Sequence, residues 1–243
     1  MLRLTGQHAA SAVGTSDDIQ STIRVYPDAF LAQRIIICEG ASEIGLVRGL
    51  DQHRTANGAI SLSALGTALV DCGGGDADRP FKRSDAFRAL GYRVAVVRDD
   101  DKKPTAGVEE AFVAGGGKVV AWRDGRALED ELFLSLSDDA VSKLIDRAIE
   151  LHGEELLNEH IRSASNNAKA LNGIQIEALI HGISLESRAV LGKAARTRKA
   201  GWFKSVTWME DVARDIVGPD LANTEAGFRA LVDGIFAWVG DAG

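Results

Sequence analysis

Arg34-Ile35-Ile36-Ile37-Cys38-Glu39-Gly40-Ala41-Ser42-Glu43 is the stretch on which the fold turns. Its run of apolar residues from Ile35 to Cys38 has the pattern of a strand buried on both faces, which is the habit of parallel sheets. The run stops at Glu39-Gly40 and a helical spacing begins at once, with Ile44, Val47 and Leu50 on one side. Glu39 therefore falls at the carboxyl end of a central strand and Glu43 in the first turn of the next helix. That edge of an open α/β sheet is where ligands bind. Two carboxylates held there beside a turning glycine are costly unless something positive joins them.

The same unit repeats downstream. Strands are expected over residues 68–72, 92–97 and 118–122, and helices over 42–53, 85–90 and 105–114, with a further helix beginning over 126–134. Glycines close the units at Gly73-Gly74-Gly75, Gly91 and Gly115-Gly116-Gly117. Strand–helix alternation with glycines at the helix ends implies a parallel α/β sheet. Past about residue 135 the strand signal ends. Val141, Leu144, Ile145, Ala148 and Ile149 mark an amphipathic helix that Ser137 would cap. Further helices are expected over 154–163, 174–181, 185–196 and 224–239. Another starts at Thr207-Trp208-Met209-Glu210, which has capping-box spacing, and stops at Gly218-Pro219. Residues 22–25 read as a short strand, with one helical turn over 28–32. The expected organisation is a loose leader over 1–21, an α/β domain over 22–135 and a smaller all-helical domain over 136–243. A domain with such a leader suggests a piece of a longer protein.

Composition narrows the function. The chain has 243 residues, 45% of them hydrophobic, and a formal charge of −7. No apolar run approaches the roughly 18 residues of a membrane span, and the start has no signal-peptide pattern. Cys38 and Cys72, the only two cysteines, lie in or beside expected buried strands, as reduced thiols of a cytoplasmic protein would. Two cysteines and five histidines make a structural zinc site a poor fit. Charge is unevenly spread. Between Glu186 and Glu210 there is no acid, but Arg188, Lys193, Arg196, Arg198, Lys199 and Lys204 all occur. An acidic pocket beside a basic stretch can hold both a cation and a polyanion.

The acids gather where strands end. Glu39 ends one strand, Asp99 and Asp101 follow a second, and Glu129 with Asp130 and Glu131 comes shortly after a third. In a parallel sheet these sites share one edge. Carboxylates converging there repel one another, and a divalent cation relieves the repulsion; oxygen-only ligands favour magnesium, manganese or calcium over zinc. Any one of these acids is also an ordinary helix cap or loop residue, and glycine turns more often close secondary structure than cradle phosphate. The joint arrangement carries the argument. There is no P-loop and no G-x-G-x-x-G after a strand.

The order of motifs resembles the Toprim domain of topoisomerases, bacterial primases and several nucleases: Cys38-Glu39-Gly40-Ala41-Ser42-Glu43, then Asp99-Asp100-Asp101 after Val-Ala-Val-Val-Arg, then Leu128-Glu129-Asp130-Glu131. Tyr26-Pro27-Asp28-Ala29-Phe30 before the first strand and Gly201-Trp202-Phe203-Lys204 in the trailing helices look like the overcoming-lysogenization-defect (OLD) nucleases, in particular the class found beside helicase genes. The resemblance covers roughly residues 22–215. It implies a Toprim nuclease half whose N-terminal ABC-type ATPase domain is not in this chain, DNA as substrate, a helicase as a candidate partner, and two Mg²⁺ or Mn²⁺ ions per site, with Ca²⁺ as the alternative.

Carried over residue by residue, the resemblance implies Glu39, Glu43, Asp99, Asp101 and Glu129 as metal ligands, with Glu131 as a second candidate for the third-strand position. Asp100, between the paired aspartates, leaves a shifted register open. Lys204 corresponds to the family lysine and would stabilise charge on the scissile phosphate; otherwise it is a surface lysine beside two buried aromatics. Arg196, Arg198 and Lys199 would meet flanking phosphates, where positive charge gives affinity without reading sequence, or else form a solvated face. Tyr26 and Tyr92 are the only tyrosines and neither suits a topoisomerase nucleophile. The non-enzyme alternative is a degenerate Toprim module that binds DNA or a partner protein without cutting.

Overall fold

The structure is a computed structural model that describes residues 24–197 and 200–241. The expected leader over residues 1–21, and Arg198 and Lys199, lie outside the described residues. Four strands form a single parallel sheet in the order β2-β1-β3-β4: β1 Arg34–Cys38, β2 Thr67–Asp71, β3 Arg93–Arg98 and β4 Lys118–Ala121. Ile36 stands between Leu69 and Ala95, and Cys38 between Asp71 and Val97. Strand order reverses between β1 and β3, so the crevice of a doubly wound sheet opens where Glu39 and Asp99 leave their strands.

Alternation within the buried strands divides the core in two. Ile35, Ile37, Val94 and Val96 face α2 (Arg79–Ala89) and α3 (Val108–Ala114), with Phe81, Phe87 and Phe112. Phe87 meets Tyr92 edge to face at 5.5 Å, and the Tyr92 hydroxyl donates to Phe30 O at 2.6 Å. Ile36, Cys38, Ala95, Val97 and Val120 face α1 (Ala41–Ala56) and the C-terminal helices. Those are α4 Leu128–Ser135, α5 Asp138–His152, α6 Glu154–Ala164, α7 Leu171–Ile180, α8 Leu185–Ala195, α9 Val206–Val212 and α10 Ala226–Gly240. The apolar core on this side runs from Ile36 to Val239. Among the described residues, no helix is long and apolar enough to cross a membrane.

Two glycines one turn apart bring α1 and α9 together. A Cβ at Gly45 would stand 2.6 Å from Val206 O, and one at Gly49 would stand 2.6 Å from Ala213 Cβ and overlap Glu210 O. Bare backbone at both positions lets the two helices touch, and α9 begins just after Lys204.

Three local expectations need correction. Arg24 and Val25 are helical, not a strand. The cap of α9 is Ser205, whose hydroxyl accepts from Trp208 N at 3.1 Å, and not Thr207. Gly218-Pro219 does not stop that helix. A π-turn over Ala213–Val217 widens the chain, and Gly218–Asp220 continues helical. Proline has no N–H to lose at the first position of a turn. Gly218 is there for room, since a Cβ would lie 2.5 Å from His53 Cγ. Ser137 caps α5 as expected, accepting from Ala140 N at 3.2 Å.

Candidate metal centre

A chain of hydrogen bonds ties the strand ends together. Glu39 N donates to Val97 O at 2.9 Å, and Glu39 Oε2 accepts from Asp99 N at 3.1 Å. Asp99 Oδ1 in turn accepts from Leu128 N at 2.9 Å, at the orphan-donor end of α4. Glu129 follows directly, in the first turn of that helix. Glu43 Oε2 accepts from Gly40 N at 2.9 Å, closing the turn between β1 and α1. Each of Glu39, Glu43 and Asp99 thus gives one oxygen to a backbone N–H of its neighbours, which fixes the carboxyl while its second oxygen stays outside these bonds.

The cleft so formed has a volume of about 600 Å³ and takes in Glu39, Glu43, Asp99, Asp101 and Glu129 together with Lys204 and Arg196. Glu39, Glu43 and Glu129 are buried. Burial pushes the carboxyls of Glu39, Glu43, Asp99 and Glu129 above their ordinary range. Mutual repulsion adds to this at Glu43, from Glu129 and Glu39, and at Asp99, from Glu43, Glu129 and Glu39. Lys204 pulls Glu129 partly back down. Arg196 stands at the rim, with Nη1 3.3 Å from Asp101 Oδ2 and Nε 3.4 Å from Asp130 Oδ2.

Lys204 reaches this rim from the C-terminal helices. Trp202 and Phe203 are fully buried: the Trp202 ring meets Phe133 edge to face at 5.8 Å, and Trp202 Nε1 donates to His160 Nδ1 at 3.2 Å. His152 Nε2 lies 2.8 Å from Trp202 O. The lysine stem lies across Gly201, where a Cβ would come within 2.6 Å of Lys204 Cδ, and Nζ donates to Arg196 O at 3.4 Å. Lys204 is thus an exposed lysine on a loop that two buried aromatics anchor.

Two sequence expectations are decided by geometry. Asp100 turns out of the cleft to Arg98 (3.2 Å), Lys103 and Gly125 N (2.9 Å), so Asp99 and Asp101 are the pair that face it. Glu131 is not in the cleft: its buried carboxylate is held by Arg123 at 2.6 Å and Arg126 at 3.2 Å, and it accepts from Ser135 Oγ at 3.0 Å. With two guanidiniums on it, Glu131 is held apart from the other expected ligands. Sequence reasoning missed Asp71, which lines the cleft. It ends β2 as Glu39 follows β1, but an expected strand running on to Cys72 hid it. Lys102 and the Gly73-Gly74-Gly75 loop also line the cleft.

The donor set is oxygen-only, with Glu39, Glu43 and Glu129 buried, which suits a hard divalent cation. Among the described residues, no three His, Cys, Asp or Glu side chains are drawn together into a ready-made ion site. The carboxylates share a cleft wall and would have to close further around an ion.

A parallel sheet with acids at these strand ends has counterparts among known proteins. Residues 30–101 match the family model described as overcoming lysogenization defect protein-like, TOPRIM domain. Among solved structures, the C-terminal region of the Xanthomonas campestris pv. campestris OLD protein aligns over 88% of this chain and 96% of that one, with 14% identity and a TM-score of 0.45. Comparison with curated proteins returned no match.

Proposed function

We propose that the chain is a divalent-metal-dependent DNA nuclease, the cutting half of an ATPase–nuclease protein. The observation that carries this reading is the meeting of Glu39, Glu43, Asp99, Asp101 and Glu129 with Lys204 in one cleft at the carboxyl edge of the sheet. Those five acids would hold Mg²⁺ or Mn²⁺, two per site. Bound there, the ions supply polarisation of the phosphoryl oxygen, an activated water and support for the leaving oxygen. Lys204 places its ammonium where charge grows on the scissile phosphate. Arg196, released from Asp101, holds a flanking phosphate without reading sequence. The resemblance adds an N-terminal ATPase domain and a helicase as partners.

The test is cleavage of supercoiled plasmid with Mg²⁺ or Mn²⁺ against an EDTA control. Glu39→Ala and Asp101→Ala are expected to abolish it; variants that cut as fast as the unaltered protein refute the assignment. A second reading, a Toprim module that binds DNA or a partner without cutting, draws on the unconverged carboxylates among the described residues. Plasmid binding with no metal-dependent nicking would favour it.

A further inference from the structure

Arg196 and Lys204 line one side of the cleft. The opposite side is the loop after β2. Gly73, Gly74 and Gly75 all have positive φ, at 76°, 68° and 96°, and all three line the cleft. Side chains are strained in that conformation. Packing does not demand their bareness, since a Cβ at Gly74 or Gly75 would have nothing within 4 Å. It would project into open space, and its absence leaves clearance for another backbone to approach.

This loop is built. Gly74 N donates to Glu39 O at 2.7 Å, which ties the loop to the end of β1. Asp78 accepts from both Thr105 N and Thr105 Oγ1 at 2.7 Å, latching it to the loop after β3. The acids of this wall are occupied: Asp71 by Gly73 N at 2.6 Å, Asp76 by Asp78 N at 3.0 Å and Lys82 at 3.3 Å, Asp78 by Thr105. Two cations are not. Arg79 stands over the loop, its Nη1 3.7 Å from where a Gly73 Cβ would be, and Lys102 lines the cleft beside Asp101. Both are exposed and neither is in an ion pair among the described residues.

We infer that the bare Gly73-Gly74-Gly75 loop with Arg79 over it, together with Lys102 from the loop after β3, is a second phosphate-binding track that holds the sugar–phosphate backbone of DNA beyond the contacts of Arg196 and Lys204. The inference rests on the nuclease reading for its choice of ligand. A strand gripped from both walls would cross directly over the carboxylates. Contact to phosphate gives affinity without reading sequence.

The experiment is binding of a fluorescein-labelled DNA duplex by anisotropy in EDTA, at several salt concentrations, for the unaltered chain and for Arg79→Ala/Lys102→Ala. Each phosphate contact contributes about 0.9 to the slope of log K against log salt. The double variant is expected to lose about 1.8 from that slope, which corresponds to roughly 60-fold weaker binding at 0.1 M salt for proteins equal at 1 M. An unchanged slope, or no binding by the unaltered chain, overturns the inference. Should the double variant melt early, Arg79→Gln and Lys102→Gln each carry the same test at about 0.9. The two readings fail separately. Intact plasmid cutting with an unchanged slope sinks the track alone, and a reduced slope in a chain that cuts nothing sinks the nuclease alone.

Discussion

Gly49→Ala is the substitution that bears most directly on how the lysine loop is held. A new Cβ at Gly49 would overlap Glu210 O and stand 2.6 Å from Ala213 Cβ and 2.8 Å from Arg214 N. None of these is the end of a flexible side chain, so α9 must move away from α1. Overpacking of this kind costs about 1–3 kcal/mol, and a clash with backbone belongs at the upper end. Alanine returns up to about 1 kcal/mol through helix propensity, leaving a net loss of about 2 kcal/mol. Gly234 is the internal control. It lies inside α10 with nothing within 4 Å of a built Cβ, so Gly234→Ala should gain about 0.5–1 kcal/mol. Urea unfolding of both variants should therefore separate them by nearly 3 kcal/mol, in opposite directions from the unaltered protein. Because α9 follows Lys204, any nuclease activity should fall more at Gly49→Ala than stability alone explains. If Gly49→Ala proves as stable as Gly234→Ala, the close approach of α1 and α9 is not what these glycines serve.

Manganese at about a hundred times its Kd should stabilise the fold by about 2.7 kcal/mol, seen as a melting shift of about 5–10 °C for a chain of this size. Glu129→Gln should blunt that shift, whereas Lys204→Ala should keep it and lower turnover about 10²–10³-fold; loss of the shift in Lys204→Ala would make that lysine structural. Glu131→Ala should cost about 1–3 kcal/mol in urea by removing the buried acceptor on which Arg123, Arg126 and Ser135 converge, while metal stabilisation persists, and a metal response lost along with stability would return Glu131 to the ligands. Burial pushes the Glu177 carboxyl up, but hydrogen bonds from Ser184 and Ser187 outweigh it and hold it down to about 2 from 4.5. A depressed carboxyl stabilises above its unfolded pKa and loses that contribution as pH falls. Glu177→Gln should thus be less stable than the unaltered protein at pH 7, with the gap closing between about pH 4.5 and 2; a constant gap would deny the ionic contribution.

What was legible in the chain was whatever rests on local pattern. Ile35 to Cys38 declared a doubly buried strand, and the strand–helix period located the carboxyl edge along which Glu39, Asp99 and Glu129 lie. What escaped depended on partners far away in sequence. Glu131 resembles Glu129 in every local respect. Only the fold reveals that Arg123 and Arg126 claim it, because β4 and the turn after it must first form. Asp100 differs from its neighbours only by the side of the chain it leaves, and Arg98 with Gly125 decides that. Gly218-Pro219 carried a strong stop signal, yet the π-turn before it and the His53 ring beside it make the pair part of a continuing helix. The Gly45 and Gly49 pair was visible but mute, since its meaning lies in α9, some 160 residues on.

The apolar core shared by the sheet and the C-terminal helices has a consequence for how the unit is cut from its sequence. The segment that matches a family, residues 30–101, stops before β4 and before every helix that covers Ile36, Cys38, Ala95 and Val97 apart from α1. The matched segment and the stretch that shares one apolar core are different lengths of chain. A fragment trimmed to the recurring part would carry Glu39 and Asp99 on a sheet with one face largely bare to water. Such a fragment would collect neighbours through that face before it could collect metal.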